Sequence, residues 1–167
     1  MKNWSVIGML VLAPIIISSC GSGGHKGYMT RSYSVRGVYY QPLSVGQALR
    51  YKEVGMGSWY DESQFLGLKR GNTSLGEKVM PWQISAAHKT LPLPCVVKVT
   101  NLSNGKKLKM RVNDRGPFIP GRIIDVTPRA ASKLGFKKRG ITQVRVEVVS
   151  VGDGKYKRKA KRRWFRR

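Results

Sequence analysis

Eight carboxylates stand against 32 lysines and arginines in this chain of 167 residues, so acid–base chemistry has few places to sit. Glu147 lies on the polar face of an alternating strand beside Arg145, Asp153 falls in the turn-like VGDGK, and Asp61 and Glu62 are adjacent in a loop. These four read as structural or solvated, and Glu53 belongs to the entry into the folded region. Glu77, Asp114 and Asp125 remain. The last two share one stretch, RVNDRGPFIPGRIIDVT (111–127). Asp125 stands two residues before a helix start, where a carboxylate accepts amide N–H bonds and favours the positive end of the helix dipole, a scaffold role. Asp114 follows a strand whose alternation ends at Val112 and opens a loop fixed by Gly116 and Pro117. A carboxylate placed so points into a groove as an acid–base, or it caps an Asx turn; the pattern alone allows both.

His88 is one of two histidines, the other being His25, and it follows two small residues, Ala86 and Ala87. It reads either as a satisfied scaffold residue or as a catalyst. A zinc site needs about four ligands at suitable spacing, and the region around His88 offers one histidine and one cysteine, so neither metal nor cofactor is expected. Cys95 opens the apolar run CVVKV and reads as a buried, inert thiol. Without a metal, a nucleophilic triad or a phosphate-binding glycine loop, the remaining chemistry is carboxylate acid–base work on a sugar bond. Trp59 and Tyr60 fit that chemistry as stacking platforms for pyranose faces, and fit equally as core residues of a small barrel.

The elements that must position these residues are mainly β. In KLKMRV, Leu108, Met110 and Val112 alternate with polar residues, and Val144, Val146 and Val148 do so in QVRVEV, the period of half-buried strands. CVVKVTNL, then Ser103-Asn104-Gly105, then KLKMRV reads as a hairpin, with Asn-Gly supplying the tight turn. Thr127 as N-cap, Pro128 at the first helical position and Gly135 as stop predict one short helix. Short strands, little helix and Gly/Pro-rich connections point to a compact barrel of about 100 residues, 51–152, enough for a single core.

The ends read differently. Residues 1–19, MKNWSVIGMLVLAPIIISS, carry one lysine and then an apolar stretch interrupted by Gly8 and Pro14, a signal peptide rather than a membrane span. Ile17-Ser18-Ser19-Cys20 looks like a bacterial lipobox, in which Cys20 receives a diacylglycerol, leaving Cys95 unable to pair. Residues 20–50 read as a lipid-anchored tether, and 153–167, ending KYKRKAKRRWFRR, as a basic tail. The net charge of +24 calls for polyanionic partners. Export replaces nucleic acid with anionic envelope polymer or lipid, which the tail would touch through Trp164 and Phe165.

The stretches GMGSWY (55–60), SAAHKTLPLP (85–94), VTNLSNGK (99–106) and RVNDRGPFIPGRIID (111–125), followed by an alanine-containing helix with LGF, resemble the rare lipoprotein A (RlpA) family over most of 51–149. The resemblance implies a six-stranded double-psi β-barrel with one or two short helices. It implies an endolytic lytic transglycosylase that cuts between N-acetylmuramic acid and N-acetylglucosamine in peptidoglycan strands lacking stem peptides, leaving 1,6-anhydro ends. The family's functional residues fall on Glu77, His88 and Asp114: Asp114 as acid–base, Glu77 assisting or orienting substrate, His88 positioning a carboxylate or sugar hydroxyl. Trp59, Tyr60, Asn113 and Arg115 are expected to contact substrate. With no aspartate after Cys20, resemblance to sorted lipoproteins implies an anchor in the outer membrane, facing the periplasm; a monomer is expected. Family members usually carry Ala-Asn-Gly-Glu where this chain has Ser74-Leu75-Gly76-Glu77. That departure keeps open an expansin-like, non-cleaving glycan binder or a structural envelope lipoprotein.

Overall fold

The computed structural model describes residues 29–60, 72–78, 82–152 and 156–157. The signal and Cys20 expectations, His25, Asp61, Glu62, Asp153 and the tail beyond 157 lie outside the described residues. Two short hairpin strands, β1 (Tyr33–Val35) and β2 (Val38–Tyr40), and a helix, α1 (Val45–Arg50), precede β3 (Lys52–Trp59). Then come β4 (Ser85–Ala87), β5 (Cys95–Asn101), β6 (Lys107–Asp114), β7 (Arg122–Val126), α2 (Pro128–Leu134), β8 (Ile141–Val151) and β9 (Tyr156–Lys157).

Strands β3 to β8 close on themselves. β3 runs parallel to β7 and antiparallel to β8, β4 runs parallel to β6 and antiparallel to β7, and β5 joins β6 to β8. The circuit is the double-psi barrel, with two parallel pairs, β3/β7 and β4/β6, set among antiparallel neighbours. Closure leaves no free edge among the six strands, which satisfies their backbone groups without a covering layer.

Alternation builds the interior. Val97, Val99, Met110, Val112, Ile124, Val126, Val144, Val146 and Val148 are buried together, as the period-2 reading of KLKMRV and QVRVEV requires. Each fully buried valine or leucine contributes about 1.5 to 3 kcal/mol. Cys95 joins this core as a free thiol, and burial pushes its pKa up to about 12, so it is inert. Gly57 is buried where β3 crosses the core, and a Cβ there would lie 2.9 Å from Val144 Cγ2. We expect Gly57→Ala to lower the free energy of urea unfolding by about 1 to 3 kcal/mol through overpacking; an unchanged midpoint would show that β8 yields freely.

Helix α2 has the predicted bounds, with Pro128 at its start and Gly135 left-handed at φ 76° as its stop. Thr127 sits at the N-cap, but its hydroxyl donates to Gln83 O at 2.8 Å and so ties the helix start to the approach of β4. The β5–β6 connection is a longer loop than a two-residue turn. Gly105 N–H donates to Asn101 O, and the Asn104 and Asn101 side-chain amides both donate to Leu134 O at 3.0 Å. Asn104 was expected to form the turn; it also caps α2, because loop and helix end meet at one end of the barrel.

The tether expectation for 20–50 fails over most of its length. From Met29 onward the chain packs on the barrel: Met29 bridges Leu93, and α1 buries Ala48 while Leu43, Val45 and Leu49 pack on the core. Ser44 and Gln47 form a capping box, a signal that aperiodic composition concealed. At the other end, Tyr156–Lys157 pair with Ser150 and Val151, so the first residues of the basic tail extend the sheet.

Candidate active site

The parallel register of β4 and β6 sets Ala87 beside Asp114, and the His88 N–H donates to Asp114 O at 3.0 Å. Asp114 is thus the last residue of a strand pinned on its partner, at the barrel rim. Its side chain meets the segment 72–78, a tight loop held by Thr73 N–H to Glu77 O at 2.8 Å and by Gly76 at φ 77°. Three donors converge on Asp114 Oδ1: Ser74 N–H at 2.8 Å, Ser74 Oγ at 2.6 Å and Arg115 N–H at 2.7 Å. With these three bonds all on Oδ1, Oδ2 is the oxygen that a ligand in the clefts would meet.

Glu77 is held by the strand that carries Asp114. Both of its carboxylate oxygens accept from Arg111 Nη1 at 2.6 Å, and Asn113 Nδ2 donates to Oε2 at 2.8 Å. The bonds from Arg111, opposed by partial desolvation and helped by Asn113, hold the Glu77 carboxyl below the usual range. Glu77 is therefore held as an anion at neutral pH. Its charge, in the loop that meets Asp114, is balanced by Arg111. Asn113, expected to touch substrate, is 3% exposed and orients Glu77 instead.

The His88 side chain departs from the expected role. Its ring is buried; Nδ1 accepts from Thr90 N–H and Leu91 N–H, both at 3.1 Å, which places the ring proton on Nε2. Nε2 donates to Tyr51 Oη at 2.8 Å, and Tyr51 donates to Glu53 Oε2. The ring holds Tyr51 and the 90–91 turn, while the backbone of the same residue holds Asp114. Burial first, then the charges of Arg115 and Lys89, bring its pKa down to about 3 from 6.5. As pH falls below 6.5 the unfolded chain binds a proton that the folded chain refuses, so stability is lost on acidification from 6.5 towards 3. We expect the parent to lose about 1.4 kcal/mol more per pH unit than His88→Gln between pH 6 and 5. Urea titrations with parallel slopes would refute it.

Asp114 opens onto two clefts. The first, of about 320 Å³, includes Tyr60, Phe118, Arg122 and Asp125; the second, of about 460 Å³, includes Ser74 and Tyr33. Of Trp59, which ends β3, and Tyr60, which follows it, the structure brings Tyr60 to a cleft and not Trp59. Successive side chains of a strand face opposite ways, so Trp59 packs on the core, donates from Nε1 to Lys137 O at 3.0 Å and lies under the Lys137 ammonium. Arg115 lines both clefts, yet its guanidinium donates to Leu91 O at 2.5 Å, Lys89 O at 3.2 Å and Met29 O at 3.0 Å. It staples the 88–91 turn to the N-terminal segment. Asp125 is scaffold through partners other than the expected amides: Ser58 Oγ donates to Oδ1 at 2.5 Å and Arg122 pairs with Oδ2.

Sequence reasoning missed Ser74, whose hydroxyl fixes the central carboxylate. Its signal was present as the serine standing where family members usually carry alanine. Leu75 packs on the core cluster, so the apolar replacement in this loop has a structural use.

A double-psi barrel bearing a rim aspartate at the junction of two clefts is the class of protein that fold and site define. Residues 52–146 match the family model described as lytic transglycolase. An endolytic peptidoglycan transglycosylase RlpA from Rickettsia bellii is 42% identical over 136 residues, covering 79% of this chain and 57% of that protein. Its counterpart from Neisseria meningitidis serogroup A is 47% identical over 123 residues, covering 74% and 49%. The chain spans about half the length of the curated relatives it matches. A solved Streptomyces papain inhibitor superposes with a TM-score of 0.46 at 20% identity, over 59% of this chain and 94% of its own. The chain belongs to the lytic transglycolase family, as an RlpA-type double-psi β-barrel.

Proposed function

We propose that this protein is an endolytic peptidoglycan lytic transglycosylase acting on glycan strands without stem peptides. The observation that carries the reading is the arrangement of the two carboxylates: Glu77 held as an anion by Arg111, and Asp114 pinned through Oδ1 at a cleft with Oδ2 left for the ligand. Protonated on Oδ2, Asp114 donates its proton to the glycosidic oxygen between N-acetylmuramic acid and N-acetylglucosamine. The C1–O bond breaks and an oxocarbenium-like centre develops at C1. The C6 hydroxyl of the same sugar closes on C1 and returns its proton to the Asp114 carboxylate, giving the 1,6-anhydro ring without water. Glu77 orients the strand and opposes the developing positive charge. Ser74 and the His88 backbone keep Asp114 in place, and Tyr60 offers a ring to a sugar face.

The same reading places the protein in the cell envelope as a monomer without a cofactor. It is anchored through a lipidated Cys20 in the outer membrane, with the basic tail on anionic lipid or polymer. Leu75 favours a second reading, a non-cleaving, expansin-like binder of glycan strands, because a partly buried apolar side chain packed on the core offers substrate no hydrogen bond from the Glu77 loop. The deciding experiment incubates the full chain in detergent with denuded glycan strands and analyses the products by mass spectrometry. Anhydro-ended fragments are expected; binding without fragments, where an active relative cuts, selects the second reading.

A further inference from the structure

The segment 29–40, apart from the barrel, forms part of both clefts that meet at Asp114. Arg36 lines the first, and Arg31, Ser32, Tyr33 and Val35 line the second. The hairpin is not loosely laid there. Tyr33 donates from Oη to Lys89 O at 2.7 Å and stacks on Tyr40 at 5.2 Å, and Tyr40 lies 5.5 Å from Phe118. The Arg115 guanidinium sits 5.2 Å over the Tyr33 ring. Val35 pairs with Val38 across a two-residue turn, Arg36-Gly37, in which both residues have positive φ, 51° and 78°. Such turns take asparagine, aspartate or glycine at the first position. Arginine in a left-handed conformation is unfavourable, and backbone held in a disfavoured region gathers at ligand sites.

The charges in the clefts give the ligand chemistry. Their carboxylates are already served: Asp114 by Ser74 and the Arg115 N–H, and Asp125 by Ser58 and Arg122. Arg31 and Arg36 are exposed, and among the described residues neither guanidinium is paired with a carboxylate. We infer that Arg31 and Arg36 are specificity-determining residues that receive the carboxylates of an acidic glycan, one on each side of Asp114, with the β1–β2 hairpin as the wall that holds them. Resting on the transglycosylase reading, the inference identifies those carboxylates as the lactyl groups of muramic acid, ionised only where no stem peptide is attached. A guanidinium takes a carboxylate through paired N–H bonds, and an amide-capped lactyl group offers no anion to it. Selection of bare strands then follows from a carboxylate at the lactyl position itself, which the hairpin arginines meet directly.

The test uses the full chain in detergent, in an Asp114→Asn background so that strands bind without turnover. Two probes differ in charge alone: denuded glycan strands, and the same strands with lactyl carboxyls converted to primary amides. Amidation is expected to weaken binding about ten-fold in the Asp114→Asn chain and to change it less than two-fold when Arg31→Gln and Arg36→Gln are added. Lys107→Gln with Lys109→Gln removes the same charge from the exposed face of β6 and should keep the ten-fold difference; loss of the difference there would assign it to general charge and overturn the inference. Equal sensitivity to amidation with and without the two arginines overturns it as well. Failure of the enzyme reading is seen separately, as missing anhydro-ended products from the unmutated chain, a result that leaves the binding comparison standing.

Discussion

Asp114→Asn should lower the rate of glycan cleavage by about 100- to 10,000-fold while leaving the melting temperature within a few degrees of the parent. Asparagine keeps the shape of aspartate, and its carbonyl oxygen can accept the three bonds that converge on Oδ1 from Ser74 and the Arg115 amide. The scaffold therefore survives. On the proposed mechanism, what is lost is an oxygen able to carry a proton to the glycosidic bond and to take one back from the C6 hydroxyl. Because the loss falls on the chemical step, kcat should drop with little change in KM. Anhydro-end formation measured by mass spectrometry, beside a thermal melt, separates the two effects. Cleavage within about three-fold of the parent would remove Asp114 from the mechanism.

Asp125→Asn should do the reverse. Asp125 is 6% exposed and bridges β3 to the start of β7, taking the Ser58 hydroxyl on one oxygen and Arg122 on the other. Asparagine retains an acceptor for Ser58 but turns an amide N–H₂ towards the guanidinium, leaving Arg122 without its counter-charge. Removing one partner of a buried pair costs about 3 to 5 kcal/mol, and the partial exposure of Arg122 reduces that to about 2 kcal/mol. For a domain of this size the melting temperature should fall by roughly 5 to 10 °C. Activity per folded molecule, assayed well below the transition, should stay within a few-fold of the parent. An unchanged melt with cleavage reduced as in Asp114→Asn would make Asp125 a catalytic residue.

The two carboxylates stand eleven positions apart in one stretch of chain, and local pattern separated them only in outline. Alternation placed Asp114 after a strand, and the Thr127-Pro128 helix start placed Asp125 in a scaffold. Neither pattern contains the partners. Ser74 lies 40 residues from Asp114 and Ser58 lies 67 from Asp125, so both bonds exist only because the barrel closes. The same holds for Glu77, which reaches Arg111 across 34 residues. His88 shows the limit from the other side. Its type invited a catalytic role, yet both ring nitrogens are bound within the protein, one by the turn that follows it and one by Tyr51, 37 residues earlier in the chain.

What the sequence by itself determined is what short-range physics encodes. Period-2 burial made β5, β6 and β8 and put Cys95 in the core, while Pro128 and Gly135 bounded α2. The scarcity of carboxylates left Glu77, Asp114 and Asp125 as the acids to weigh, and the resemblance to the family separated them. What only the tertiary structure decided is which side chains meet. It turned Trp59 to the core and Tyr60 to the cleft, made Asn113 and Arg115 supports, and folded a stretch read as tether into a wall of the site. The reason is that burial periodicity depends on neighbours two to four residues away, whereas a hydrogen bond or a cleft depends on strand register across the closed barrel, which no local window of sequence contains.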